Sequence, residues 1–356
     1  MIFELWLAFG GLHLVVTIYL SAAFGKYRSL KNSEKPKLSI IIAAHNEEEN
    51  LKKLIPAIDN QEYPDFEIIV ALDRTTDDSK SYLTSRSNMT VLEINKVPAD
   101  WNAKKYALAE AIKQTSGEWL VFTDADCFPS SEKWLSSMTQ EIDDDTKIIL
   151  GVSPYEPGAS FLSKYINFEA FVTAYLYIGR ALLGNPYMGV GRNMMINKLF
   201  FNRMGRYESI KGIRGGDDDL FIQQHANRFN TRVALDRQAL IWTYPKKSWK
   251  AYFLQKLRHL SVGANYKNRD LMFLTLIHTT HFGFFLLLFL NTSQLFFWPM
   301  LLFYLFIKLV SYRFAASKIG THINYMLLPL VDMLYAVLTP VIALWSKLVK
   351  DIPWKN

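Results

Sequence analysis

Cysteine is almost absent from this chain. Cys127 is its only one, which excludes an intrachain disulfide and fits a reducing compartment. Glycine-rich phosphate loops are missing too. Neither GxGxxG nor GxxxxGK[ST] follows the first strand-like run, so a dinucleotide-binding or P-loop reading has no support. His278 and His281 have no acid or cysteine for company and read as packed helix residues rather than metal ligands. Between Lys246 and Arg269 acids are lacking altogether, while Lys and Arg number seven. The net charge of +7 could suggest nucleic acid. We expect none, because basic residues beside apolar runs face anionic lipid or follow positive-inside topology.

What the chain has in quantity is apolar sequence, 50% of its 356 residues, gathered at the two ends. Ile2 to Phe24 is interrupted only by Glu4 and His13 and is followed by Lys26, Arg28 and Lys31. A signal peptide would carry its charges first, so residues 1–25 are expected to be an uncleaved transmembrane helix with the next segment cytoplasmic. Residues 271–346 hold two or three further transmembrane segments. Leu271 to Leu290 and Leu295 to Tyr312 form a hairpin about Asn291 to Gln294. Tyr325 to Trp345 is broken by Pro329, Asp332 and Pro340 and followed by lysines, in a basic tail over 347–356. A third span puts those lysines outside; a re-entrant segment keeps them inside. The span is the expectation taken forward.

Between the membrane segments, over 36–236, short β-branched runs alternate with helical patterns. Lys37 to Ala44, Phe66 to Leu72, Met89 to Ile94 and Trp119 to Thr123 are predicted strands. Glu48 to Ile58 and Ala103 to Thr115 are predicted helices, the first with Leu51, Leu54, Ile55 and Ile58 on one face. Such alternation predicts a parallel α/β sheet, whose ligands bind at the carboxyl ends of the strands. Each predicted strand ends in acids or amides, so those ends should converge on one site. The fourth stops at Asp124 and Asp126, two carboxylates one residue apart. Alone, this triplet fits a solvated turn; with its neighbours it fits a hard divalent cation bridging carboxylate and phosphate oxygens.

Five motifs occur together: HNEEENL (residues 45–51), acids from Asp73, Lys104 ahead of a helix, TDADC (residues 123–127) and GDDDL (residues 216–220). With QKLRH (residues 255–259), similar to a QxxRW motif, they make the chain resemble a membrane-integrated family 2 glycosyltransferase. The resemblance implies a cytoplasmic α/β GT-A domain over 36–236 with flanking transmembrane helices. Residues 237–270 become basic interfacial helices. It further implies an inverting transfer from a nucleotide-diphospho-sugar, a UDP-sugar in most members, to a lipid-linked or glycan acceptor. Mg2+ or Mn2+ would assist, at the inner or plasma membrane.

Residue by residue, the resemblance implies that Asn46, Glu47, Asp73, Lys104, Asp124 and Gln255 bind the donor and that Asp126 binds the metal. Asp217 falls at the catalytic base. Arg258 would stabilise the leaving group, and Gly191, Arg192, Asn193 and His259 would border the acceptor. Departures are visible: LDRT (residues 72–75) replaces DDGS, Gly216 replaces an acid, and His259 replaces tryptophan. Other readings sit beside these roles. Lys104 could be a solvated helix lysine beside Lys105, and Asp217 to Asp219 could simply begin a helix at Leu220 to Asn227. The basic helix could bind lipid headgroups. Ser160 to Leu183 fits both a core helix and an interfacial one. At the level of the whole protein, a processive polysaccharide synthase and a catalytically silent GT-A-like scaffold are the alternatives.

Overall fold

A computed structural model describes residues 1–86 and 88–349; most of the 347–356 tail lies outside that range. The chain begins with α1 (Ile2–Lys26). Alternating elements follow: β1 (Leu38–Ala44), α2 (Glu48–Asp59), β2 (Phe66–Asp73), α3 (Ser79–Thr84), β3 (Met89–Ile94), α4 (Ala103–Lys113) and β4 (Trp119–Asp124). Next come β5 (Cys127–Pro129), α5 (Trp134–Thr139), β6 (Ile148–Leu150) and α6 (Phe161–Leu182). They lead to β7 (Met194–Asn197), α7 (Lys198–Arg203), α8 (Asp219–His225), β8 (Thr231–Val233) and β9 (Ile241–Thr243). Four helices complete the described chain: α9 (Trp249–Ser261), α10 (Asn268–Leu288), α11 (Phe297–Ile319) and α12 (Leu328–Leu348).

The chain divides into two compact units. One comprises 28–156 and 180–244; the other comprises 1–27, 157–179 and 245–356. The first unit is built on a seven-stranded sheet in the order β3-β2-β1-β4-β7-β6-β8. The first four strands run parallel, as expected. The sheet is not parallel throughout, however. β7 is antiparallel to both β4 and β6, whereas β6 and β8 pair in parallel, so one strand of the seven departs from the predicted parallel sheet. Leu51, Leu54, Ile55 and Ile58 of α2 are all buried and join Ile40, Ile42, Val70 and Val121 in one core. β1 is buried on both faces along almost its whole length, which is why its sequence is β-branched without polar alternation.

In the second unit, α1, α10, α11 and the stretch Tyr325–Leu348 are each long and apolar enough to cross a membrane. The segment broken by prolines is thus a continuous helix. Pro329 occupies its first turn, where the missing N–H has no intrahelical partner to lose. Helices α1 and α10 approach closely through reciprocal glycines. A Cβ on Gly10 would lie 2.8 Å from the Phe284 ring, and one on Gly283 would lie 2.5 Å from the Phe9 ring, the small-residue contact by which apolar helices pack in lipid.

The same helices bury a polar cluster. Lys308 of α11 reaches Asp332 of α12 at 2.7 Å, His281 of α10 at 2.8 Å and His13 of α1 at 3.2 Å. The carbonyl of Ile277 faces His13 Nδ1 at 3.3 Å, which assigns the ring proton to that nitrogen and leaves Nε2 to accept from Lys308. Lys308 thus meets side chains from three other helices, with the Tyr304 hydroxyl of its own helix at 3.4 Å. His278 and His281 are packed helix residues, and His281 belongs to this ion cluster. Lys308→Met should leave Asp332 buried and uncompensated, at a cost of about 3–5 kcal/mol. Adding Asp332→Leu should recover most of that loss. Thermal unfolding in detergent compares the two, and a double variant no more stable than the single one contradicts the pairing.

Candidate functional site

The parallel register aligns the polar strand ends. Ala43 of β1 pairs with Asp124 of β4, and Ala44 pairs with Leu72 of β2. Asn46 and Glu47, Asp73, and Asp124 with Asp126 consequently leave one edge of the sheet together. Asn46 and Arg74 both adopt left-handed backbone, with φ of 54° and 48°, a strain that clusters where function constrains the chain. Asn46 Oδ1 accepts from the Thr76 backbone N–H at 2.8 Å. Glu47 precedes α2 and accepts from Asn50 at 2.5 Å.

Asp73 is 4% exposed and is gripped by the neighbouring Arg74, whose Nε and Nη2 donate at 2.8 and 3.1 Å. Arg74 stands where the resembling motif carries glycine, and its own backbone is left-handed, a conformation that glycine adopts without strain. The departure places a guanidinium on the acid expected to contact the base.

The centre of the site is Lys104. From the first turn of α4 its ammonium reaches Asp124 Oδ1 at 2.9 Å and Asp217 Oδ2 at 3.1 Å. It is largely buried, so the solvated-lysine reading fails. Burial alone would lower its pKa, but Asp124, Asp217 and Asp218 outweigh it and raise the ammonium well above its ordinary value. Lys104, Asp124, Asp217 and Asp218 line one recess with Thr123 and Tyr207. Thr123 Oγ1 is buried there and has no hydrogen-bond partner among the described residues.

The three acids of GDDDL separate by partner. Asp217 is 8% exposed and pairs with Lys104. Asp218 Oδ2 accepts from the Gly191 N–H at 2.6 Å, and Oδ1 accepts from the Asp219 N–H at 2.8 Å. It caps α8 and ties that helix to the Gly191 loop. Burial, then the charge of Asp217, pushes the Asp218 carboxyl up to about 6. Asp219 begins the helix.

Asp124, Asp126 and Cys127 each bring one ligand atom to within 4.8 Å of the others. Two carboxylates at a strand end suit a hard divalent cation. The thiol contributes less, because burial and the charges of Asp126 and Asp124 raise its pKa well above the ordinary range. Arg192 faces the same acids. Burial opposes its charge, but Tyr155, Cys127, Asp124 and Asp126 raise its pKa further. Its Nε donates to Ser153 Oγ at 2.6 Å, and its guanidinium lies 5.1 Å from the Tyr155 ring centre.

Asn193, grouped with the acceptor-bordering residues by sequence, is 0% exposed. Its Nδ2 donates to Val152 and Ala239 carbonyls at 2.7 and 2.8 Å, and its Oδ1 accepts from Trp134 Nε1 at 3.0 Å. It fastens the loop and does not line the recess. Gln255, Arg258 and His259 lie on α9, in the other compact unit. α6 is mostly buried. Sequence reasoning passed over Lys105, which is 0% exposed beside Lys104. Burial lowers its pKa to about 8, against the raising effect of Asp217 and Asp218. Nothing in the dipeptide distinguishes the two lysines; only the lie of α4 does.

Known proteins share these features. Residues 39–205 match the family model described as glycosyl transferase family 2. YdaM of Bacillus subtilis, a probable glycosyltransferase, is 23% identical over 233 residues, covering 63% of this chain and 54% of that protein. A Campylobacter jejuni protein, GalNAc(5)-diNAcBac-PP-undecaprenol beta-1,3-glucosyltransferase, is 33% identical over 103 residues, covering 26% and 30% of the two chains. The chain thus spans about half the length, or less, of these curated relatives. Among solved structures, the mannosyltransferase PcManGT from Pyrobaculum calidifontis, in complex with GDP-Man and Mn2+, superposes with a TM-score of 0.64. It is 16% identical, with 97% of this chain and 98% of that one covered; at that identity the likeness establishes the fold. With the sheet, the ordered motifs and the family match in agreement, residues 39–205 form a glycosyl transferase family 2 domain, and the chain has the GT-A fold.

Proposed function

We propose that the protein is a membrane-bound inverting glycosyltransferase. It would move a sugar from a nucleotide-diphospho-sugar, a UDP-sugar by its motifs, to a lipid-linked or glycan acceptor. The observation that carries this reading is Lys104 held between Asp124 and Asp217. That arrangement couples a donor-side acid to the expected base through one cation.

In the proposed step the acceptor oxygen bonds to the anomeric carbon as the bond from that carbon to the diphosphate oxygen breaks. The acceptor proton passes to a carboxylate oxygen of Asp217, and the nucleoside diphosphate leaves with the bonding electrons, inverting the centre. Lys104 has a double duty. An incoming diphosphate competes with Asp217 for the ammonium, so donor binding frees the base in the place where it is needed. Burial and the neighbouring Asp217 raise the pKa of Asp218 itself. A divalent cation, with Asp126 as its principal ligand and Asp124 beside it, would neutralise charge on the diphosphate. Asn46, Glu47, Asp73, Gln255 and Arg258 keep the donor-side roles that the resemblance implies, and Gly191, Arg192 and His259 the acceptor-side ones.

Four helices of spanning length support a lipid-linked acceptor and a catalytic domain on the cytoplasmic face of the cell membrane. The Campylobacter relative is named for a PP-undecaprenol-linked substrate, which points the same way. Single transfer is favoured over processive synthesis, because four spans give little material for a polymer channel.

A thermal-shift panel of nucleotide sugars with and without Mn2+ identifies the donor. The matching compound should stabilise the protein by about 2.7 kcal/mol at a hundredfold excess over its Kd. Asp126→Ala should lose the metal-dependent part of that shift more completely than Asp124→Ala. Silence across the whole panel would sink the reading.

Asp217→Asn should lower kcat by about 100-fold or more while donor binding persists. A rate within about twofold of wild type removes Asp217 from the base's role.

Because burial and the charge of Asp217 push the Asp218 carboxyl up to about 6, kcat/KM should rise as pH increases through that value and Asp218 loses its proton. In Asp218→Asn that titrating group is gone, so the limb near pH 6 should disappear. A limb that persists there contradicts its assignment to Asp218.

A further inference from the structure

We propose that Lys105 is a positioning residue for the acid pair Asp217–Asp218, acting through the backbone turn that precedes them. The role in catalysis rests on the reading of Asp217 as base.

Lys104 and Lys105 are neighbours on α4 and point roughly 100° apart. The first binds carboxylates. The second, fully buried, donates its Nζ to the carbonyls of Ile213 and of Gly215, the latter at 2.5 Å. A buried ammonium bound to carbonyl dipoles is costly to keep, and a methionine would fill the same space without that cost. What the ammonium adds is direction. Gly215 and Gly216 are consecutive left-handed residues, with φ of 68° and 70°, and Asp217 follows at once. Such a turn has many ways to relax, and fixing the Gly215 carbonyl selects one of them.

Both ends of the segment are held independently. On one side the Asn102 N–H donates to the Lys211 carbonyl at 2.7 Å, and Lys211 pairs with Asp100 at 2.9 Å. On the other, Asp218 is tied to the Gly191 loop. Lys105 is therefore the clamp on the middle, between two anchored ends, and its loss should alter the aim of Asp217 rather than unfold the domain.

The test compares wild type, Lys105→Met and Lys105→Arg as full-length protein in detergent. The readouts are hydrogen exchange over residues 211–220 and steady-state kinetics with the donor identified by thermal shift. Lys105→Met should exchange at least about tenfold faster in that segment and lose about 10- to 100-fold in kcat. KM and the donor-induced thermal shift should stay within about twofold, and Lys105→Arg should restore much of kcat. Unchanged exchange, or faster exchange with unchanged kcat, overturns the proposal, as does a loss confined to KM. If Lys105→Met does not fold, Gly215→Ala decides. It strains the accepting turn and leaves α4 intact, so it should reproduce the kcat loss, and an unchanged kcat rejects the role. An active Asp217→Asn would refute the base assignment itself. An inactive Asp217→Asn beside a wild-type-like Lys105→Met would refute only the clamp.

Discussion

The recess exists because one ammonium sits among acids that would otherwise repel one another. Asp124, Asp217 and Asp218 come from two elements far apart in sequence, and burial makes their mutual repulsion expensive. Lys104 resolves this by touching two of them directly. Its position on the first turn of α4 is set by the N-cap Asn102, whose side chain accepts from the Lys105 N–H at 3.4 Å, and by packing of α4 against the parallel strands. The strand edge, the helix start and the acidic loop are thereby referred to one charge. In the proposed reaction a ligand phosphate would compete for that same charge.

The chain uses buried cations where other proteins use cross-links. With a single cysteine it can form no intrachain disulfide. Lys105 instead joins α4 to a loop 108 residues away, and Lys308 joins α11 to a histidine 295 residues away. The acceptors differ with the surroundings. Carboxylates meet Lys104, carbonyls meet Lys105, and imidazoles with one carboxylate meet Lys308. In each case the ammonium is matched by acceptors on separate segments, the condition under which a buried charge specifies an arrangement instead of disrupting it.

Much of this was legible. The β-branched runs of β1, β2 and β4 and the apolar face of α2 emerged where periodicity placed them, because each depends on local pattern and burial. The two acids at the end of β4 were visible as an anomaly. The reversed direction of β7 was not, since Met194 to Asn197 is short and apolar and carries no mark of its orientation. Nor could the sequence tell that Asn193 fastens a loop while its neighbours Gly191 and Arg192 face the acids. Asp332 looked like an obstacle to a membrane helix until Lys308 and His281 were seen beside it.

By itself the sequence determined the succession of strands and helices, the four long apolar segments and the order of the acidic motifs. These follow from side-chain period, length and spacing, which are properties of neighbours along the chain. The tertiary structure decided which charges meet. Lys104 and Lys105 are chemically identical and adjacent, yet one faces carboxylates and the other carbonyls. That difference arises from the direction in which α4 packs on the sheet, and from a loop more than a hundred residues further on. Electrostatic partnership depends on distances in space, and only the folded chain sets them.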